Sequence, residues 1–172
     1  MEQSVDRIFL HFAVEKLQQF TSRIGDCLGR LDQQQIWARG NDNQNAVGNL
    51  ALHLSGNVRQ WIVSAIGGKT DVRVRDREFS ARGDIEGREL QERLQATVEE
   101  AISVLEKVTP ARLLERVTIQ NYDLTVLEAV FHVVEHFAGH TGQIIFATKI
   151  LTSQDLGFYK HLQATAHAEK TP

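Results

Sequence analysis

The chain has 172 residues, 42% of them hydrophobic, which fits one domain with one core and argues against a second. Nineteen lysines and arginines stand against 22 aspartates and glutamates, a formal charge of -3, so there is no global pull toward nucleic acid or an anionic membrane. Cys27 is the only cysteine, which excludes an intramolecular disulfide and fits a reducing cytoplasm, and no segment holds the roughly 18 uninterrupted apolar residues that span a bilayer.

In chain order, the N-terminus interleaves charges with its apolar residues, unlike a signal peptide, so a soluble cytoplasmic protein is expected. A period of 3.6 residues dominates, and four long helices are predicted. The first covers residues 4–31, with Val5, Ile8, Phe12, Leu17, Phe20, Ile24 and Leu28 on its inward stripe. Cys27 falls within the apolar series Ile24, Cys27, Leu28, Leu31 and reads as packing rather than as a nucleophile. A helical turn capped by Asp32 follows. Asn45 is the expected cap of a second helix that reaches Ile66, stops at Gly67 and Gly68, and presents Leu50, His53, Leu54, Asn57 and Trp61 inward.

Residues 69–83 form a long, arginine-rich connector that reads as too polar for the core. Its Arg73, Arg75 and Arg77 present either a basic edge or, more simply, solvated charges paired with Asp71, Asp76 and Glu78. The third helix spans residues 85–108, with Leu90, Leu94, Val98, Ile102 and Leu105 inward. Thr109 and Pro110 then open a further helical turn, and "TIQNYDL" is the one extended piece. Thr125 and Glu128 make a capping box for the fourth helix, which runs to about Leu151. The bundle domain is expected over residues 1–155, and residues 156–172, with His161 and His167, form a weakly ordered tail.

Histidines carry the chemistry. An i, i+4 pair places two imidazoles on one helix face, where both can reach one ion; His136 and His140 qualify, and so do His132 and His136. A straight helix cannot bring all three to the same point, because eight residues rise about 12 Å. Gly139 and Gly142 thin the helix around His140 and favour the second pair. "HVVEH" matches the H-x-x-E-H order of inverted zinc peptidases, but so short and helical a chain offers no obvious peptide cleft. A third ligand must come from elsewhere, either His53 on the apolar face of helix two or His11 in helix one. Three histidines would leave positions open on zinc, nickel or iron(II), whereas a lone buried histidine is simply a core residue bonded to a carbonyl or carboxylate.

"NAVGNLALHLSGNVRQW" and "VEHFAGHTGQI" resemble the second-helix and fourth-helix segments of the DinB-like (DinB/YfiT-like) superfamily of small metalloenzymes, with helix order matching from about residue 4 to 155. "GGKTDVRVRDREF" is similar to an uncharacterised bacterial branch of that group. The resemblance implies an all-α four-helix bundle with a long connector between helices two and three, and a divalent ion on His53, His136 and His140. It also implies frequent homodimers and, in some members, transfer of low-molecular-weight thiols or hydrolysis of small molecules. Where the family motif reads "HHRGQ", this chain has Gly139 and Thr141 in place of a histidine and an arginine, while Gln143 matches. Gln143, Asn57 and Glu135 are the neighbours expected to support the ligands or the substrate. The competing class is a non-catalytic stress-response dimer in which the ion is structural; nucleic-acid binding through the connector is a third, weaker reading.

Overall fold

The structure is a computed structural model that describes residues 4–163. Helix α1 spans Val5–Leu28, α2 is the single turn Gln33–Ile36, and α3 covers Val47–Val58 and continues as a π-helical segment, Arg59–Ile66. The connector contains α4, Arg75–Ser80. Then follow α5 (Gly87–Leu105), α6 (Pro110–Leu114), strands β1 (Arg116–Ile119) and β2 (Tyr122–Thr125), α7 (Val126–Thr152) and a 3-10 turn, Lys160–Gln163. The long members α1, α3 with its π-helical extension, α5 and α7 make an all-α four-helix bundle.

Pairs of contacts fix its sense. Phe20 stacks on Phe137 and Arg30 bonds Gln154, so α1 and α7 run the same way. His53 meets His140 while Trp61 meets His132, so α3 runs against α7. Helix α5 begins beside the end of α1, where Gln33 bonds the Ile85 carbonyl, and ends where Gly67 abuts Val104. It is therefore parallel to α3, and the bundle reads up, down, down, up. A chain with two consecutive parallel helices must be carried back along the bundle between them, and residues 69–83 do this.

The core is continuous. It joins Leu17, Ile24 and Leu28 of α1, Leu50, Leu54 and Val58 of α3, Leu90, Leu94 and Val98 of α5, and Val130, Val133, Phe137 and Ile144 of α7. Cys27 is fully buried in it, and burial raises its thiol pKa, as suits packing. Leu156 and Phe158 pack on this core as well, and His167 lies outside the described residues.

Several local expectations need correction. Val5, Ile8 and Phe12 are exposed; the buried face of α1 starts instead at Leu10 and Ala13. The N-cap of α3 is Ala46 rather than Asn45, because the fully buried Asn49 side chain turns back to accept the Ala46 amide at 3.1 Å. "TIQNYDL" is not an irregular link but an antiparallel hairpin, Arg116 opposite Thr125 and Ile119 opposite Tyr122, turned by Gln120 and Asn121 at φ 52 and 67°. The Thr125 and Glu128 capping box is present as read.

Candidate metal centre

Each functional side chain is aimed by helix periodicity. His53 shares the inner face of α3 with Leu50, Leu54 and Asn57, and His136 and His140 sit one turn apart at the middle of α7. The antiparallel crossing of these helices brings the three rings together. Nε2 of His53 lies 3.0 Å from Nε2 of His136, which lies 3.2 Å from Nε2 of His140. Among the described residues, the remaining histidines do not join them. His132 packs its ring on Trp61 at 4.2 Å, and His11 is exposed and faces Glu15.

What surrounds the rings decides their tautomers. Glu78 Oε2 stands 2.9 Å from His53 Nδ1, and Glu78 is nine-tenths buried. Burial by itself would raise the Glu78 pKa, but hydrogen bonds from Arg73 and His53 and the charges of both outweigh it and hold the carboxyl ionised. An ionised carboxylate only accepts, so it calls for a proton on the His53 Nδ1, which the Arg73 Nη2 also approaches at 3.1 Å, and the neutral ring in that tautomer presents a lone pair at Nε2. Arg73 grips the same carboxylate with two bonds, 2.7 and 2.9 Å, and its side chain is only 4% exposed. Gln143 Oε1 likewise accepts from His140 Nδ1 at 2.7 Å and exposes a second bare Nε2.

His136 Nε2 faces both bare nitrogens and can donate a proton to one of them at most. Its Nδ1 is buried without a partner among the described residues. Burial, followed by the charges of His140, His53, His132 and Arg73, pushes its pKa down to about 3, so it is neutral at physiological pH. Burial also lowers the pKa of His140, against a raising hydrogen bond from Gln143. Three imidazole nitrogens crowded this closely form an arrangement that a cation relieves. The donor set also fits one: two nitrogens that share an ion at about 2.0–2.1 Å stand about 3.0–3.4 Å apart. All three ligand atoms lie within 4.8 Å of one another.

Residues 4–163 match the family described as "Protein of unknown function (DUF1572)". The chain belongs to that family. The DUF1572 chain is similar to two solved structures. One is a conserved protein from Enterococcus faecalis, at 14% identity and a TM-score of 0.70, covering 89% of this chain and 100% of that one. The other is a DinB-like protein (YjoA) from Bacillus subtilis, at 13% identity and a TM-score of 0.65, covering 86% and 96%. At such identities these relatives show that the DUF1572 chain has the DinB-like fold. No curated protein matches the chain. Among the described residues, no helix is long and apolar enough to cross a membrane.

The other expected neighbours divide. Asn57 is buried beside the triad with its Oδ1 unpartnered among the described residues, Gln143 touches His140, and Glu135 is exposed. Gly139 and Gly142 face open space, with nothing within 4 Å of where a side chain would begin. The connector departs most from its sequence reading: Arg73 and Glu78 are core residues of this site. Arg75 lies over the Phe79 ring, so the connector's arginines form no continuous basic edge. Glu78 lies 25 residues from His53, and no spacing rule ties the two. The only signal in the sequence was a carboxylate in a connector that must pass the triad. A cavity of about 590 Å³ lined by Lys69, Lys107 and Arg112 contains none of the three histidines.

Proposed function

We propose that this DUF1572 protein holds a divalent ion, zinc, nickel or iron(II), on His53, His136 and His140. With it, the protein acts on a small molecule as a thiol transferase or a hydrolase. The observation that supports this most is the convergence of three imidazole Nε2 atoms, with Glu78 and Gln143 placed to accept at the Nδ1 of two of those rings. An ion bound there would acidify a thiol or a water at neutral pH and leave coordination positions for it.

The chain's own residues have separable roles in this reading. Glu78 and Gln143 keep His53 and His140 in the tautomer that offers Nε2. Gly139 and Gly142 leave open space on α7 beside His140. Asn57, one turn beyond His53, offers a buried carbonyl oxygen that can orient a donor on the substrate. Glu135 is exposed to solvent on α7. A homodimer fits the exposed Phe146 and Ile150 on the outer face of α7, and the cytoplasm fits the single reduced cysteine.

The test is elemental analysis of untagged protein beside a His53→Ala/His140→Ala variant, followed by a screen of thiol conjugation to electrophiles with and without restored ion. Wild-type metal content in the variant would refute the ligand set. A second reading draws on the ligands' origin in two helices, α3 and α7: a structural ion stapling them in a non-catalytic stress-response dimer. Chelation then melts the bundle, whereas an ion in a preformed core leaves it folded when removed.

A further inference from the structure

His140 and His53 depend on very different supports. The acceptor for His140 is Gln143 on its own helix, three residues away, so that ring is ready whenever α7 is folded. The acceptor for His53 is Glu78, on α4, a helix of six residues that has loops on both sides. So short a helix has no stability of its own in water, so α4 exists only while docked.

What docks it surrounds His53. Asn49 Nδ2 donates to the carbonyls of Glu78 and Ala81 at 2.8 and 3.2 Å. Arg39 Nη2 donates to the Phe79 carbonyl at 3.0 Å and to Asn49 Oδ1 at 2.6 Å. The Phe79 ring lies 4.8 Å from the His53 ring. Gly56 leaves the space the carboxylate fills, since a Cβ there would fall 2.0 Å from Glu78 Oε1. Arg73, from the same connector, neutralises Glu78 and also bonds Gln60 at 2.9 Å.

We infer that residues 71–81 are a docked strap whose Glu78 and Arg73 are positioning residues for His53, so that docking of the strap and binding of the ion are one coupled equilibrium. A carboxylate on Nδ1 fixes the ring and strengthens the donor at Nε2, so the docked strap raises ion affinity. By reciprocity the ion holds the strap down by the same factor. This rests on the metal reading above.

Zinc(II) is the probe, titrated in competition with a chromophoric chelator, with amide hydrogen exchange followed across residues 71–81 and ¹⁵N shifts read on the histidine rings. In the wild type, zinc should slow exchange in the strap. Glu78→Gln should lower zinc affinity by about 10–100-fold and weaken the zinc-dependent protection, while its amide oxygen, as Gln143 does for His140, still accepts from the His53 Nδ1. Because Glu78→Gln leaves a buried guanidinium unpaired, Arg73→Met/Glu78→Leu serves as a second variant in which the pair is replaced by apolar groups, a change that often leaves stability intact. It should show the same losses and, with no acceptor left at position 78, also lose the Nδ1–H tautomer at His53 while His140 keeps its own. Wild-type zinc affinity in these folded variants, or strap exchange indifferent to zinc in the wild type, overturns the inference alone. A His136→Ala protein that binds zinc as tightly as the wild type overturns the metal reading and the inference with it.

Discussion

Gly56→Ala sets two known effects against each other. Alanine in place of glycine inside a helix stabilises by about 0.8–1.0 kcal/mol. At Gly56, however, the added carbon would meet Glu78 Oε1 at 2.0 Å, and Glu78 Cδ and Arg73 Nε at 2.9 Å. None of these is a loose side-chain end, because Arg73 and His53 hold the carboxylate at 2.7–2.9 Å. Overpacking costs about 1–3 kcal/mol if the pair shifts intact, and a broken buried pair costs about 3–5 kcal/mol. Gly139→Ala is the control, since nothing lies within 4 Å of its would-be Cβ. The two variants should therefore differ by about 1–5 kcal/mol, with Gly139→Ala the more stable, in urea unfolding followed by circular dichroism with chelator present. Equal stabilisation of both would refute the claim that Glu78 is seated against α3.

Acid should weaken the metal-free fold. His136 has a folded pKa of about 3 against 6.5 ordinarily, so between these values the unfolded chain takes up a proton that the folded one refuses. Stability is thus fully present above 6.5 and falls as pH drops toward 3, and urea midpoints that held steady or rose on acidification would contradict this. Zinc at about 100 times its dissociation constant should stabilise the wild type by about 2.7 kcal/mol, and His136→Ala should lose the gain in a thermal melt. Thr125→Ala removes the α7 cap, whose side chain accepts from Glu128, and should cost about 1 kcal/mol in urea unfolding with no change in zinc affinity.

Where local periodicity governs, the sequence was readable. The inward face Leu50, His53, Leu54, Asn57, Trp61 is buried as its spacing requires, and the i, i+4 spacing of His136 and His140 brings their rings within 4.5 Å. The failures came where neighbours decide. Val5 and Ile8 continue the apolar pattern of α1, yet by the register of Phe20 on Phe137 they fall before the first turn of α7 and have nothing to pack on. Charges in "DVRVRDREFS" read as solvated because each taken alone is costly to bury; Arg73 and Glu78 go inside together, each cancelling the other. That choice depends on the route of the connector, which no stretch of residues reveals by itself.

Because α3 and α5 point the same way, the backbone has to climb about 30 Å between them, the length of the 20 residues from Val47 to Ile66. Fully extended, about nine residues cover that distance, whereas twenty separate Ile66 from Gly87. The ascent is compulsory, but the surplus length is not. Deletions that trim it to the minimum would preserve the architecture while taking Glu78 away, so a relative with a brief ascent must recruit some other acceptor for the imidazole at position 53.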